Sequence, residues 1–264
     1  MKEPKLKRSL GQIFLVDKNI QRKIINASNL KPDDYVLEIG AGDGRLTELI
    51  ANTGCKLFAL EIDELFYHKL KEKFKDYKNV IVIKKNILDF NIKRYFKGIT
   101  NKIKIIGNIP YYITTPILLH LIKYRDKINE IFLTVQKEFA YRVVSKSGSK
   151  TYGAISCYVQ YYTEPKILFI IKKDSFYPVP KIDSCFLRLR FKEKYPLNIN
   201  EEKKLFRIIR SAFNQRRKML RNSLRKIFSL SRLDEFFERF NISKDVRPEN
   251  LSLDDFINLI KFKN

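Results

Sequence analysis

Five short apolar runs, at residues 35–39, 56–60, 80–83, 103–106 and 130–135, constrain this chain more than any other feature. Each has the length and composition of a buried strand. Segments 45–52, 64–74 and 115–123 lie between them with helical spacing, and another helix runs from the fifth strand through Arg142. Strand–helix units of this length build a parallel sheet with helices on both faces. Two further runs, 167–171 and 185–191, have no helix between them, so an antiparallel hairpin at one sheet edge is expected. The expectation is an α/β fold with a seven-stranded, mostly parallel sheet.

Before the first strand, residues 19–27 have helical spacing. Tyr195-Pro196-Leu197-Asn198 reads as a boundary, giving an α/β domain over 1–194 and a small all-helical domain over 195–264. Helices are expected there at 201–212, 218–228, 232–240 and 254–261, with Asn200 and Ser252 as caps.

Composition excludes several classes. The 264 residues are 44% hydrophobic, with 20 Phe and 14 Tyr, which argues against disorder. No apolar run approaches the ~18 residues of a membrane span, and residues 1–5 lack the apolar core of a secretory signal. A cytoplasmic location without membrane attachment is expected. Cys55, Cys157 and Cys185 form no Cys-x-x-Cys pair, and His68 and His120 have no clustered partners, so no metal site is expected.

The formal charge is +24, from 53 basic and 29 acidic residues. Such an excess favours a polyanion, nucleic acid before a membrane surface. Residues 203–232 hold eleven basic side chains and no acidic one. Arg207 and Arg210 are three apart on one expected helix, and Arg217, Arg221 and Arg225 four apart on the next, so each set would share a face. Arg216 and Lys218 belong to the same stretch. A solvated helical face is the plainer alternative.

Gly40-Ala41-Gly42-Asp43-Gly44 separates the first strand from its helix. Glycines there allow tight turning and close approach of a ligand to backbone, although a structural turn would look the same. Glu61 ends the second strand, where an acid can accept from ribose hydroxyls. Loop and acid together favour an adenosyl cofactor. Asn86, after the third strand, suits the edge of an adenine or an ordinary turn.

Asn108-Ile109-Pro110-Tyr111 ends the fourth strand. An adenine N6 amine is a poor nucleophile because its lone pair is delocalised into the ring. The Asn108 amide oxygen and the Ile109 carbonyl can both accept from its hydrogens and draw that lone pair outward. Pro110 stiffens the loop, and Tyr111 offers a stacking face. Phe176 stands beside a proline-rich turn, as a second platform or as core.

With these motifs the chain resembles the KsgA-type ribosomal small-subunit RNA adenine N6,N6-dimethyltransferases nearly end to end. The resemblance rests on Ser9-Leu10-Gly11-Gln12-Ile13-Phe14-Leu15, Glu38-Ile39-Gly40-Ala41-Gly42-Asp43-Gly44, Glu61-Ile62-Asp63 and Asn108–Tyr111. It extends to Phe176-Tyr177-Pro178-Val179-Pro180-Lys181-Ile182-Asp183-Ser184, residues 215–222 and residues 247–252. It implies a Rossmann-like methyltransferase domain with S-adenosylmethionine as cofactor. That cofactor would be held by Gln12, Ile13, Leu15, Glu38, Gly40, Gly42, Glu61, Ile62, Asn86, Ile87 and Asn108. Tyr111 and Phe176 would flank a flipped adenine in the terminal hairpin loop of 16S RNA, within an assembling small subunit. A monomer suffices. Three residues depart from the family pattern: Ile13 where His or Asn is usual, Asn86 where Asp is usual, and Tyr112 where Asn is usual. Two alternatives stand beside this reading, a large-subunit adenine methyltransferase of the resistance type and a non-catalytic nucleic-acid-binding relative.

Overall fold

The computed structural model describes residues 11–262. Ser9 and Leu10 of the opening motif lie outside the described residues. The strands are β1 (Phe14–Leu15), β2 (Tyr35–Ile39), β3 (Lys56–Glu61), β4 (Val80–Lys84), β5 (Ile103–Asn108), β6 (Ile128–Gln136), β7 (Thr163–Ile171), β8 (Phe176–Tyr177) and β9 (Ser184–Phe191). The helices are α1 (Lys18–Ser28), α2 (Arg45–Ala51), α3 (Glu64–Lys73), α4 (Ile92–Tyr95), α5 (Thr114–Ile122), α6 (Lys137–Val144), α7 (Ala154–Tyr162), α8 (Ile199–Asn214), α9 (Leu220–Leu224), α10 (Leu230–Arg239) and α11 (Leu253–Lys261).

Among the described residues the chain forms two compact units. One runs to Ala140 and resumes over Lys166–Phe191; the other takes Tyr141–Pro165 and everything from Lys192 onward. The boundary read from the sequence lies between 194 and 195 and keeps residues 141–165 in the first domain, whereas in the structure they belong to the second unit.

The first unit holds a seven-stranded sheet in the order β4-β3-β2-β5-β6-β9-β7. Pairings β3–β4, β2–β3, β2–β5 and β5–β6 are parallel, and β6–β9 is antiparallel. Central strands are apolar on both faces because helices cover both. Thus β5 is buried from Ile103 to Gly107, whereas edge strand β4 is nowhere fully buried. Val36, Leu57, Ile106, Phe132 and Phe186 from the sheet join Ile24 of α1 and Ile50 of α2 in one core cluster. A separate two-stranded ribbon pairs β1 with β8, Phe14 opposite Tyr177 and Leu15 opposite Phe176.

The second unit is helical, and two expectations about it need correcting. The α8 cap is Asn198, not Asn200: its side chain accepts from Asn200 N and Glu201 N while Glu201 returns the bond in a capping box. The expected helix over 218–228 does not form at that length. Its Met219 cap is extended (φ −57°, ψ 143°), and α9 spans only Leu220–Leu224. Arg217 therefore sits in the preceding turn and Arg225 at the C-cap, so Arg217, Arg221 and Arg225 do not share a helical face. Ser252 caps α11 as expected, with Asp255 completing its capping box.

Candidate active site

A cavity of about 210 Å³ opens at the carboxyl ends of β2, β3 and β5. Ligands in doubly wound sheets bind there, where strand order reverses. All eleven residues expected to hold a cofactor, from Gln12 to Asn108, line it, and so do Ile109, Pro110 and Tyr111.

Glu61 organises the floor. Its Oε2 accepts from Gly42 N at 2.8 Å, and its Oε1 accepts from Ile62 N and Asp63 N, each at 2.8 Å. The carboxylate thus fixes the glycine loop and the start of α3 together. Burial nonetheless raises its pKa above the ordinary carboxylate value. Gly42 needs its left-handed φ of 55°, and a Cβ there would sit 2.8 Å from the Phe14 ring. The glycine loop and the segment carrying Phe14 therefore touch with no room for a side chain.

Glu38 is 2% exposed, and its Oε2 has no hydrogen-bond partner. Burial pushes its pKa up to about 8, the nearby Thr47 hydroxyl works against that rise, and the Glu61 and Asp43 carboxylates add to it. An unpartnered buried oxygen on a cavity wall suits a cationic ligand.

Asn86 accepts from Leu88 N through Oδ1 at 3.0 Å and so caps the turn that holds Ile87. Its amide nitrogen is the end left for a ligand, so the turn role and the cavity role coexist in one side chain. An Asp at this position would offer a second acceptor in place of that donor.

The roof is residues 11–15. Asn108 Nδ2 donates to Ile13 O at 2.9 Å, the buried Gln21 Nε2 donates to Leu15 O at 2.6 Å, and Gln12 Nε2 donates to Asp63 Oδ2 at 3.3 Å. Ile13 thus contributes through its backbone, which relieves its side chain of any polar duty. A carbonyl partner demands the amide nitrogen of Asn108, so its Oδ1 is directed the other way. Tyr111 is held by a 2.7 Å hydrogen bond between its hydroxyl and Ser184 Oγ, at the start of β9. Tyr112, at 63% exposure, is the most open large ring at the cavity rim; its edge lies against Gly11, where a Cβ would approach within 2.9 Å.

Phe176 does not join this group. It is 1% exposed, packed in the sheet core and absent from the cavity wall. Three residues that shape the site escaped the sequence reading: Gln21, Asp63 as an acceptor, and Ser184 as the Tyr111 partner. Only Asp63 carried a local signal, as the cap of α3.

The basic residues of the second unit divide. Arg207, Arg210, Arg217, Lys218 and Arg225 are exposed. Arg221 donates to Asp234 at 2.8 Å, and Arg216 lies 3.5 Å from Glu249 while donating to Lys150 O at 2.7 Å.

The sequence model described as "Ribosomal RNA adenine dimethylase" matches residues 3–264. A ribosomal RNA small subunit methyltransferase A of Caldanaerobacter subterraneus subsp. tengcongensis is 38% identical, over 97% of this chain and 96% of that protein. The crystal structure of a dimethyladenosine transferase from Plasmodium falciparum superposes with a TM-score of 0.79 at 26% identity, covering 93% of this chain and 95% of that one. A 23S rRNA methyltransferase structure superposes with a TM-score of 0.74 at 22% identity, covering 94% and 98%, which shows a shared fold.

Tyr111→Phe should lower stability by about 1–2 kcal/mol, because Ser184 is fully buried and loses its partner. Chemical denaturation measures this; an unchanged midpoint would mean the ring needs no such anchor.

Proposed function

The chain belongs to the ribosomal RNA adenine dimethylase family, and on that premise we propose that it dimethylates N6 of two adjacent adenines in the 3′-terminal hairpin loop of 16S RNA, during small-subunit assembly. It is an rRNA methyltransferase whose cofactor is S-adenosylmethionine. We place it in the cytoplasm as a monomer acting on the small subunit. No helix among the described residues is long and apolar enough to cross a membrane.

The cavity residues fit that cofactor. Glu61 keeps acceptor capacity for ribose hydroxyls, since a carboxylate can take about four hydrogen bonds and three are made. Glu38 offers its unpartnered oxygen to positive charge, and the missing Cβ of Gly42 lets the Phe14 ring close over the glycine loop. Asn86 and Ile87 would meet the adenine end, and Gln12, Ile13 and Leu15 would cover it.

When bound, S-adenosylmethionine supplies an electrophilic sulfonium methyl group. Asn108 Oδ1 and the Ile109 carbonyl accept from the two N6 hydrogens and draw the nitrogen lone pair out of conjugation with the ring. Pro110 holds the direction of the Ile109 carbonyl. Tyr111 presents its ring to the base with its hydroxyl anchored on Ser184. Phe176 supports the ribbon beneath the roof and acts on the base only indirectly from its buried position. The exposed Arg207, Arg210, Arg217, Lys218 and Arg225 take RNA phosphates, while Arg216 and Arg221 brace the surface that carries them.

The observation that carries this reading is the Asn108 amide, whose nitrogen is spent on Ile13 and whose oxygen is thereby aimed. A large-subunit substrate is the other reading with this fold; the 38% identity to a ribosomal RNA small subunit methyltransferase A over nearly the whole of both chains favours the small subunit.

Asn108→Ala should lower methyl transfer to unmodified small subunits by roughly 10²–10³-fold, with the cofactor dissociation constant changed only severalfold. Transfer of labelled methyl groups and mapping of the labelled bases test both the role and the substrate; near-normal turnover would remove the catalytic assignment. Asn86→Asp should tighten cofactor binding about fivefold, since its free carboxylate oxygen can accept from the adenine amine, which the Asn86 amide nitrogen cannot, and a charge-assisted bond of this kind is worth roughly 1 kcal/mol. Calorimetry showing weaker binding would assign Asn86 to the turn alone.

Glu38 gives a pH signature. Its carboxyl is raised to about 8 without ligand, and a cationic ligand favours the ionised form. Binding must therefore expel a proton below that pH, so affinity should rise with pH up to about 8 and then level. Glu38→Gln should bind more weakly and lose that component of the pH slope; a slope identical to the wild type would assign the proton elsewhere.

A further inference from the structure

The stretch at 203–232 is not the only acid-free basic segment. Residues 139–163 also contain no Asp or Glu, and they carry Arg142, Lys146 and Lys150, all exposed. The two stretches are far apart in sequence, yet both contribute to the second compact unit. Within it the first stretch is anchored at two points, once to the second stretch and once to Glu249 beyond it. Arg216 Nη2 donates to Lys150 O at 2.7 Å, and Gly148 N donates to Glu249 O at 2.7 Å. Glu249 in turn lies 3.5 Å from Arg216, so one Arg–Glu pair grips both the loop backbone and itself.

The loop is also braced from inside. Ser145 Oγ bonds Tyr141 O at 2.6 Å and Thr151 Oγ1 at 2.5 Å, and Gln160 Nε2 donates to Val143 O and Ser145 O, each at 2.8 Å. The loop is therefore held in shape, with Lys146 and Lys150 presented to solvent beside the turn that bears Arg217 and Lys218. Its backbone anchors consume one Arg and one Glu and leave those four cations exposed.

We infer that the loop at 145–151 and the turn at 215–219 form one RNA phosphate-binding surface, with Lys146 and Lys150 as contacts and Arg216 as the residue that positions them. The inference rests on the RNA-substrate reading above and extends it to a segment outside the arginine-rich tail. The chemistry is that of a polyanion backbone. Cations spaced along a fixed ridge, with the hydroxyls of Ser147 and Ser149 between Lys146 and Lys150, can follow successive phosphates without reading bases.

The test is binding of the full chain to unmodified small-subunit rRNA and to assembled subunits over a salt series. Two phosphate contacts contribute ~0.7–0.9 each to the log–log salt slope, so losing both at about 0.15 M salt costs on the order of 15- to 30-fold in affinity. The double variant Lys146→Ala/Lys150→Ala should show that loss and a slope shallower by about 1.4–1.8. Arg216→Ala should weaken binding as well, whereas Arg216→Ala added to the double variant should cost little more, because the contacts it positions are already gone. Lys97→Ala/Lys102→Ala, the same charge change in the first unit, is the control.

An unchanged slope, or an equal loss in the control, would overturn the surface. A loss seen with assembled subunits and not with free rRNA would assign the loop to a ribosomal protein and overturn it equally. The substrate reading fails separately: wild-type protein that binds with the full slope yet transfers no methyl group would sink that reading and leave the surface standing.

Discussion

The site depends on one topological constraint, the reversal of strand order at β2. Strands β3 and β4 are laid on one side of β2, and β5 and β6 on the other. The loops leaving β2 and β5 must therefore diverge, and the space between them is not filled by the fold itself. Register then fixes what faces that space. Glu38 pairs with Ile106 and Ile39 with Gly107, so the glycine loop and Asn108 emerge side by side. A Cβ on Gly40 would lie 3.5 Å from the Asn108 carbonyl oxygen, which measures how near the two loops come.

Onto this opening the chain folds residues 11–15, and at Ile13 and Leu15 it does so through backbone carbonyls rather than side-chain identity. Asn108 and Gln21 each donate to a carbonyl of the segment. A carbonyl acceptor is supplied by any residue type, so Ile13 can stand where a polar residue is usual without loosening the roof. The same economy makes Asn108 bifunctional: its nitrogen closes the roof, and its oxygen is left to the substrate amine. Closing the site and aiming the acceptor are thus one event, and a chain that failed to seat residues 11–15 would also release the Asn108 amide to rotate.

Much of this was legible in the sequence, and the failures share a physical cause. Strand β2 was read at its true bounds, because an apolar run covered on both faces carries its own limits. The glycine loop, Glu61 and Asn108 were found because each sits at a strand end, where the rule for ligand placement is local. Helix α7 was missed. Its sequence, Ala154 to Tyr162, is almost continuously apolar or aromatic, so no helical period stands out. The Tyr111–Ser184 bond joins residues 73 apart and left no local trace. Phe176 was ambiguous for the opposite reason: an aromatic beside prolines fits a platform and a core equally, and only pairing of β8 with β1 buries it.

Net charge misleads in a similar way, because it does not say which cations are already engaged. Arg216 and Arg221 looked like the centre of an RNA stripe, yet both spend their planar donors on internal partners. A guanidinium holds a fixed fork of donors and suits such geometry, whereas an ammonium on a flexible stem suits a mobile phosphate chain. The second unit follows that division. Its internal pairs draw on Glu249 and Asp234, which come from outside the acid-free segments, so those carboxylates are matched by Arg216 and Arg221 rather than by the exposed cations. What remains at the surface of 139–163 and 203–232 is positive charge with no acid in sequence beside it. The excess that matters for a polyanion is this unopposed surface fraction, and the paired residues set its shape rather than its strength.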